Sequence, residues 1–208
     1  MTNGESACSL IPSPWGAAMT NFEFVFSLLS ILLGLALAEV LGGLARAVKA
    51  RPRVRIGWAT GLLATWTLTE TVILWRVIWR ARDALPDHSA ALFGGFAVCA
   101  LYYVAAALLF PERMEETTSL DAHFDEEKTK IIGALLLANA LAYALRYAAM
   151  GRASFSYMAW YDVATLALIY LAGGWAMLTK RRGVAIGCLA LLVLLDLLDP
   201  LEALLWPT

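Results

Sequence analysis

Long runs of hydrophobic residues alternate with short charged stretches along the chain. Each run approaches the ~20 residues that an α-helix needs to cross the ~30 Å of hydrocarbon in a bilayer. The pattern therefore predicts an all-α fold, a polytopic membrane helical bundle in one domain over residues 22–208. Its six transmembrane helices are expected at roughly 22–45, 57–79, 89–110, 131–149, 157–179 and 183–206.

The overall composition supports this class of protein. Of the 208 residues, 61% are hydrophobic and 16% are charged, and the mean hydropathy is +0.68. An ordinary soluble domain is less apolar and carries more charge. Residues 1–21 differ from the rest and form a polar, Pro-containing tail without Lys or Arg, so they lack the basic start of a secretory signal. The repeat of Met-Thr-Asn at 19–21 also makes Met19 an alternative start.

The placement of the basic residues predicts the orientation of the helices. Eleven of the sixteen Lys and Arg residues lie in three stretches, 46–55, 111–130 and 180–182. In a six-helix chain these stretches share one side of the membrane, and basic loops stay on the cytoplasmic side. Both termini are therefore expected outside.

The stretch FEFVFSLLSILLGLALAEVLGGLARAVKAR (22–51) resembles small multi-pass proteins of the bacterial inner membrane. The resemblance covers mainly the first helix and its basic loop. It implies a location in the bacterial inner (plasma) membrane, and it implies no activity, substrate or site residue.

Missing residues argue against several membrane cofactors. Buried haem needs axial ligands, usually His, and the two histidines, His88 and His123, lie in loops or at helix ends. All four lysines are in or beside loops, so none is placed to hold retinal. We expect no cofactor and no nucleic acid, and the lipid bilayer is the expected partner.

The 111–130 segment holds several acids around one histidine, which raises the question of a metal site. Asp121 and His123 lack the ligand spacing that identifies such a site. Thr118 followed by Asp121 resembles a capping box, so the segment is expected to be a solvated helical lead-in to the fourth helix. A contact with a cytoplasmic partner is the alternative, and the ligands of any metal stay unknown.

The last helix carries three acids, Asp196, Asp199 and Glu202, in a Leu-rich setting. Their spacing puts them on one face. Each Asp costs ~3 kcal/mol at the membrane centre and each Leu returns only ~0.5, so the acids must meet partners, water or protons. Pro200 removes a donor from the carbonyl of Asp196, and an oxygen-rich site of this kind suits a hard cation.

A structural explanation of these acids is available on the fourth helix. Asn139, Tyr143 and Arg146 form a polar stripe on one face. Arg146 would pair with Asp199 or Glu202, and Asn139 would reach Asp196. The two helices would then be held together without any further function. A third possibility is that the last helix lies in the membrane interface.

Helix 1 carries a small-residue stripe beside one acid, Glu39. Small residues allow close helix approach in a bilayer, so the stripe predicts an internal contact or a homodimer seam. Glu39 stands about two turns from Arg46 and is expected to extend toward the basic loop. The stripe consists of Ser30, Gly34, Ala38 and Gly42.

Glu70 is the strongest functional candidate, because it is expected to lie unpaired in mid-membrane. Tyr102 and Tyr103 lie near the membrane centre on helix 3, and a buried Tyr seeks a hydrogen-bond partner such as Glu70. We interpret both tyrosines first as core residues and second as elements of a proton relay.

Three classes of function follow from these residues. The preferred hypothesis is a small cation- or proton-handling permease or channel subunit, and a non-catalytic scaffold or regulatory subunit is the alternative. An intramembrane, metal-dependent enzyme acting on lipid comes last, and no catalytic residue is assigned. The predicted ion or proton pathway comprises Glu70, Asp196, Asp199, Glu202, Glu39, Tyr102 and Tyr103.

Overall fold

The structure is a computed structural model, and it describes residues 21–52, 54, 57–80, 82, 89–111, 119–150 and 160–205. Within these ranges the chain forms six α-helices and no strand, which confirms the all-helical prediction. The helices are α1 (Asn21–Ala50), α2 (Trp58–Arg80), α3 (Ser89–Leu108), α4 (Leu120–Met150), α5 (Trp160–Leu178) and α6 (Arg182–Leu205).

Proline marks the ends of two helices. Pro52 follows the end of α1 and Pro111 follows the end of α3. Proline cannot donate to the helical ladder, and it disfavours a helical residue before it. The fourth helix begins at Leu120 rather than near residue 131, because the acidic lead-in is continuous with the apolar helix.

Contacts between helix ends fix the alternating directions of the helices. Thr60 near the start of α2 donates to the Leu120 carbonyl at 3.3 Å, and the His123 ring lies 3.0 Å from the Leu108 carbonyl. Arg182 at the start of α6 lies 3.0 Å from Asp121. The starts of α2, α4 and α6 therefore meet the end of α3.

The ends of α5 and α1 lie at the same place. Lys128 on α4 donates to the carbonyl of Thr179, just after α5, at 2.7 Å. A Cβ atom on Gly43 near the end of α1 would overlap the ring of Phe110, so only glycine allows this approach. We call this end of the bundle the basic end, since it carries Arg46, Lys49, Lys128, Lys130 and Arg182.

The helices pack around one interior. The described parts of α3 pack against α1 and α4, and those of α6 pack against α2 and α5. The described parts of α4 and α6 do not pack along their length, although Arg182 at the start of α6 binds Asp121 and Asp125 on α4. The interior is formed by buried side chains from all six helices, among them Leu33, Leu63, Tyr102, Ile132, Ala176 and Leu189.

Two helical stretches, Phe22–Ala50 and Leu120–Ala149, are long and apolar enough to cross a membrane, which favours membrane association. Within the described residues, the apolar stretches of α3 and α5 are shorter, at Leu92–Leu108 and Val163–Leu178.

Two residues of the small-residue stripe of α1, Gly34 and Ala38, lie away from the internal packing face. Ala38 is exposed, and a Cβ atom on Gly34 would meet no atom within 4 Å. The buried face instead presents Leu33, Ala36 and Val40 to the interior. No internal contact is therefore observed at Gly34 and Ala38, and the homodimer seam stays a prediction.

Candidate functional site

Two carboxylates, Glu70 and Asp196, are the buried acids of the described part of the chain, with exposed fractions of 5% and 7%. Glu70 continues the buried face of α2 that includes Leu63 and Thr67. Asp196 continues the buried face of α6 that includes Leu192. The helical repeat that buries these apolar residues therefore also carries both acids inward.

Glu70 has the partner that the sequence predicts. The hydroxyl of Tyr102 on α3 donates to Oε2 of Glu70 at 3.0 Å, and Tyr102 is itself buried. The side chains of Trp66 and Asn139 also lie beside this carboxylate. The buried indole N–H of Trp66 nevertheless has no acceptor in hydrogen-bond geometry, which leaves one spare donor next to Glu70.

Asp196 is held by a threonine. The Thr69 hydroxyl lies 2.8 Å from Oδ2 of Asp196 and 2.9 Å from the carbonyl oxygen of Trp66. Asp196 and Glu70 are close enough to interact electrostatically, and Tyr102 lies near both. The two carboxylates thus form a pair between α2 and α6.

The polar contacts extend to α4 and α5. The Tyr170 hydroxyl on α5 donates to Oδ1 of Asn139 on α4 at 3.1 Å. Because Asn139 lies beside Glu70, these side chains are continuous with the carboxylate pair. We call the whole group the polar cluster; it comprises Thr69, Glu70, Tyr102, Asn139, Tyr170 and Asp196.

The expected contact between Asn139 and Asp196 is not formed. The described parts of α4 and α6 do not pack against each other, so Asn139 faces α2 and α5 instead. Tyr143 lies close to Tyr170. The side chains of Asp199 and Glu202 lie outside the described residues, so their pairing with the exposed Arg146 stays a prediction.

The remaining predicted pathway residues lie away from the polar cluster. Tyr103 is 40% exposed, because the next residue on a helix turns by about 100° from its neighbour. Glu39 accepts a bond from Arg46 at 3.1 Å, as expected, and both side chains are partly exposed near the basic end.

Sequence reasoning missed Thr69 and Tyr170. The neighbouring Thr67 and Thr71 donate back to the Leu63 and Thr67 carbonyls of their own helix. The sequence signal for Tyr170 was a polar hydroxyl inside an apolar helix, the same signal that singled out Tyr102.

Among the described residues, no basic side chain compensates the charge of the two carboxylates. Within the described ranges, no Lys or Arg forms an ion pair with Glu70 or Asp196. A buried carboxylate without a cation is costly, and hydroxyl donors offset only part of that cost. The arrangement can hold a proton or a small cation, and it repels anions.

Two acids of the 111–130 segment, Asp121 and Asp125, form ion pairs with basic residues of the protein. Asp121 and Asp125 both bind Arg182, and Asp125 also lies 3.9 Å from Lys128. In residues 119–130 and the other described ranges, no three His, Cys, Asp or Glu side chains group as a metal site requires. Residues 112–118 lie outside the described residues.

The fold and the site define an all-helical protein with a buried pair of carboxylates. No protein-family model, curated protein or solved structure matches the chain.

Proposed function

We propose that the chain is a six-span protein of the bacterial inner membrane that handles protons or small cations, as a permease or channel subunit. The observation that carries this proposal is the Glu70–Asp196 pair. It is buried, bound by two hydroxyls, and without an ion-pair partner among the described residues.

Helix length supports six membrane crossings. The helices α2, α3, α5 and α6 contain 23, 20, 19 and 24 residues. At 1.5 Å per residue their lengths are about 28 to 36 Å, close to the thickness of the hydrocarbon core. The longer α1 and α4 add polar turns at the basic end to a span of the same length.

The outer surface supports the same conclusion. Large apolar side chains are exposed, including Phe93 at 71% and Leu171 at 69%. In the most apolar stretch of α1, and likewise in that of α4, only 22% of the residues are buried inside the protein. A soluble bundle hides such surface, whereas a bilayer solvates it.

The position of the basic end indicates how the helices are oriented across the membrane. Contacts bring the starts of α2, α4 and α6 to one end, where the Lys and Arg residues concentrate. Basic loops stay in the cytoplasm, so this end faces inward and both termini face outward.

The Glu70–Asp196 pair would bind a proton or a cation within the membrane. Each buried carboxylate is costly as an anion, and a proton or cation that binds to it removes much of that cost. Release at the other side restores the anion. An anion pathway would need the opposite charge.

The test is a flux assay in proteoliposomes with separate readouts for protons, Na⁺ and K⁺. Glu70→Gln and Asp196→Asn are expected to abolish flux, because they remove charge and keep size. Glu39→Gln is the matched control, since Glu39 lies near the basic end in an exposed ion pair. The proposal would be refuted if vesicles with the wild-type protein showed no flux of any of the three ions. It would also be refuted if Glu70→Gln and Asp196→Asn were both monodisperse and still carried flux.

A further inference from the structure

Thr69 holds its hydroxyl between two acceptors. Its Oγ1 lies 2.8 Å from Oδ2 of Asp196 and 2.9 Å from the carbonyl oxygen of Trp66. A hydroxyl has one hydrogen and two lone pairs, so it donates to only one acceptor at a time and can accept as well. The two distances are both normal for hydrogen bonds.

This position accommodates both protonation states of Asp196. When Asp196 is an anion, Thr69 donates its hydrogen to Oδ2. When Oδ2 carries a proton, the acid donates that proton to Oγ1, and Thr69 turns its hydrogen to the Trp66 carbonyl. Every polar atom in the contact is satisfied in both states, and no heavy atom moves.

The Trp66 carbonyl can accept this second bond. In a helix it accepts from the backbone N–H of Glu70, and its other lone pair remains available. A Thr hydroxyl commonly bonds to its own helix in this way. The switch is therefore a rotation of one O–H bond.

Metal ions fit this geometry less well than protons. A hard cation needs several oxygen lone pairs directed at it, with six or more ligands for ions such as Ca²⁺. Here Tyr102 directs its hydrogen at Glu70, and within the described residues its hydroxyl makes no other hydrogen bond. The contact between Thr69 and Asp196 has hydrogen-bond length, which leaves no space for an ion between their oxygens.

The groups that face Asp196 are consistent with proton exchange. From α2 they are Glu70 and Thr69, and from α3 the group is Tyr102. From the described residues of α5, Tyr170 is connected to the pair through Asn139 and Glu70 and not through Asp196. None of these groups is a base that would fix Asp196 as an anion.

We infer that the species handled at the Glu70–Asp196 pair is the proton, that Asp196 gains and loses it, and that Thr69 is the positioning residue for both states. The step is Asp196 carboxylate plus hydronium giving the carboxylic acid and water, and its reverse on the other side. This inference rests on the proposed function and narrows its substrate to protons.

The experiment compares proton flux with Na⁺ and K⁺ flux in proteoliposomes for the wild type, Thr69→Val and Thr69→Ser. Valine keeps the shape and removes the hydroxyl, whereas serine keeps the hydroxyl. Thr65→Val is the matched control, since Thr65 lies one turn earlier and donates only to the Gly61 carbonyl.

We expect the wild type to carry protons alone. Proton flux through Thr69→Val should fall by about ten-fold or more, as expected when one hydrogen bond to a charged group is lost. Thr69→Ser and Thr65→Val should keep most of the flux.

A second measurement applies even if Thr69→Val fails to fold. Infrared difference spectra of the wild type should show a carboxylic-acid band that appears on acidification without a change in the amide band. That band should be absent from Asp196→Asn.

The outcomes separate the two proposals. Wild-type vesicles without any flux would refute the proposed function, and this inference with it. Flux of Na⁺ or K⁺ without protons would leave the proposed function intact and overturn the inference. Full proton flux in a folded Thr69→Val, or no acid band assigned to Asp196, would also overturn it.

Discussion

Removal of the Tyr102 hydroxyl isolates one contact of the polar cluster. Tyr102→Phe keeps the ring, which is 2% exposed, and deletes only the donor to Glu70. A hydrogen bond to a neutral group contributes about 0.5–1.5 kcal/mol, and one to a charged group about 1.5–3 kcal/mol. Because the Glu70 oxygen would also remain buried and unsatisfied, we expect a loss of about 1–3 kcal/mol in the free energy of unfolding.

The adjacent Tyr103 provides a matched control. It has the same chemistry and is 40% exposed, so Tyr103→Phe should change the free energy of unfolding by less than about 0.5 kcal/mol. Unfolding is followed by circular dichroism during titration of mixed micelles with a denaturing detergent.

A double-mutant cycle then assigns the effect to the pair. Tyr102→Phe, Glu70→Met and the double variant are compared, and the coupling energy should fall between about 0.5 and 3 kcal/mol. Equal losses for Tyr102→Phe and Tyr103→Phe, or a coupling energy near zero, would show that the bond to Glu70 does not stabilise the fold.

Two further variants test the basic end and the surface of α1. Lys128→Met should destabilise the protein by about 1–3 kcal/mol in the same titration, since it removes the buried donor to the Thr179 carbonyl; an unchanged midpoint would contradict this role. Gly34→Leu should leave the monomer's stability nearly unchanged, because a Cβ atom there meets no atom within 4 Å and the residue does not face the interior. It should dissociate a dimer if α1 forms the homodimer seam, as measured by light scattering in detergent, and an unchanged oligomer would place any seam elsewhere.

The sequence was informative where local pattern decides the structure. Hydrophobic blocks predicted six helices, because helical backbone bonds are local and the blocks have helical length. The bond between Tyr102 and Glu70 was also predictable. Both are isolated polar residues at similar depth in an apolar setting, and each needs a partner.

The sequence was uninformative where the outcome depends on which helices are neighbours. Asn139 was expected to reach Asp196, yet the described parts of α4 and α6 meet through Arg182 at the basic end and do not pack along their length. Thr69 could not be distinguished from Thr67 and Thr71, since all three lie within about one helical turn of Glu70. Only the approach of α6 to α2 selects Thr69 as the partner of Asp196.

The position of the pair along its helices explains why hydroxyls rather than a base hold it. On α2, Glu70 lies twelve residues from Trp58, and on α6, Asp196 lies fourteen residues from Arg182. These separations correspond to about 18 and 21 Å from the basic end. On the proposed topology that depth lies in the inner part of a ~30 Å hydrocarbon core, where charge is most costly. A Lys or Arg at this depth would compensate one carboxylate permanently, and that carboxylate would no longer need a proton. Neutral donors leave the cost of the anion in place, so a site of this kind binds protons readily and its affinity depends on how well the anion is solvated. On the proposed topology, deleting the Thr69 hydroxyl should therefore destabilise the anion more than the protonated acid, because a hydrogen bond to a charged group is the stronger one, and proton release should slow.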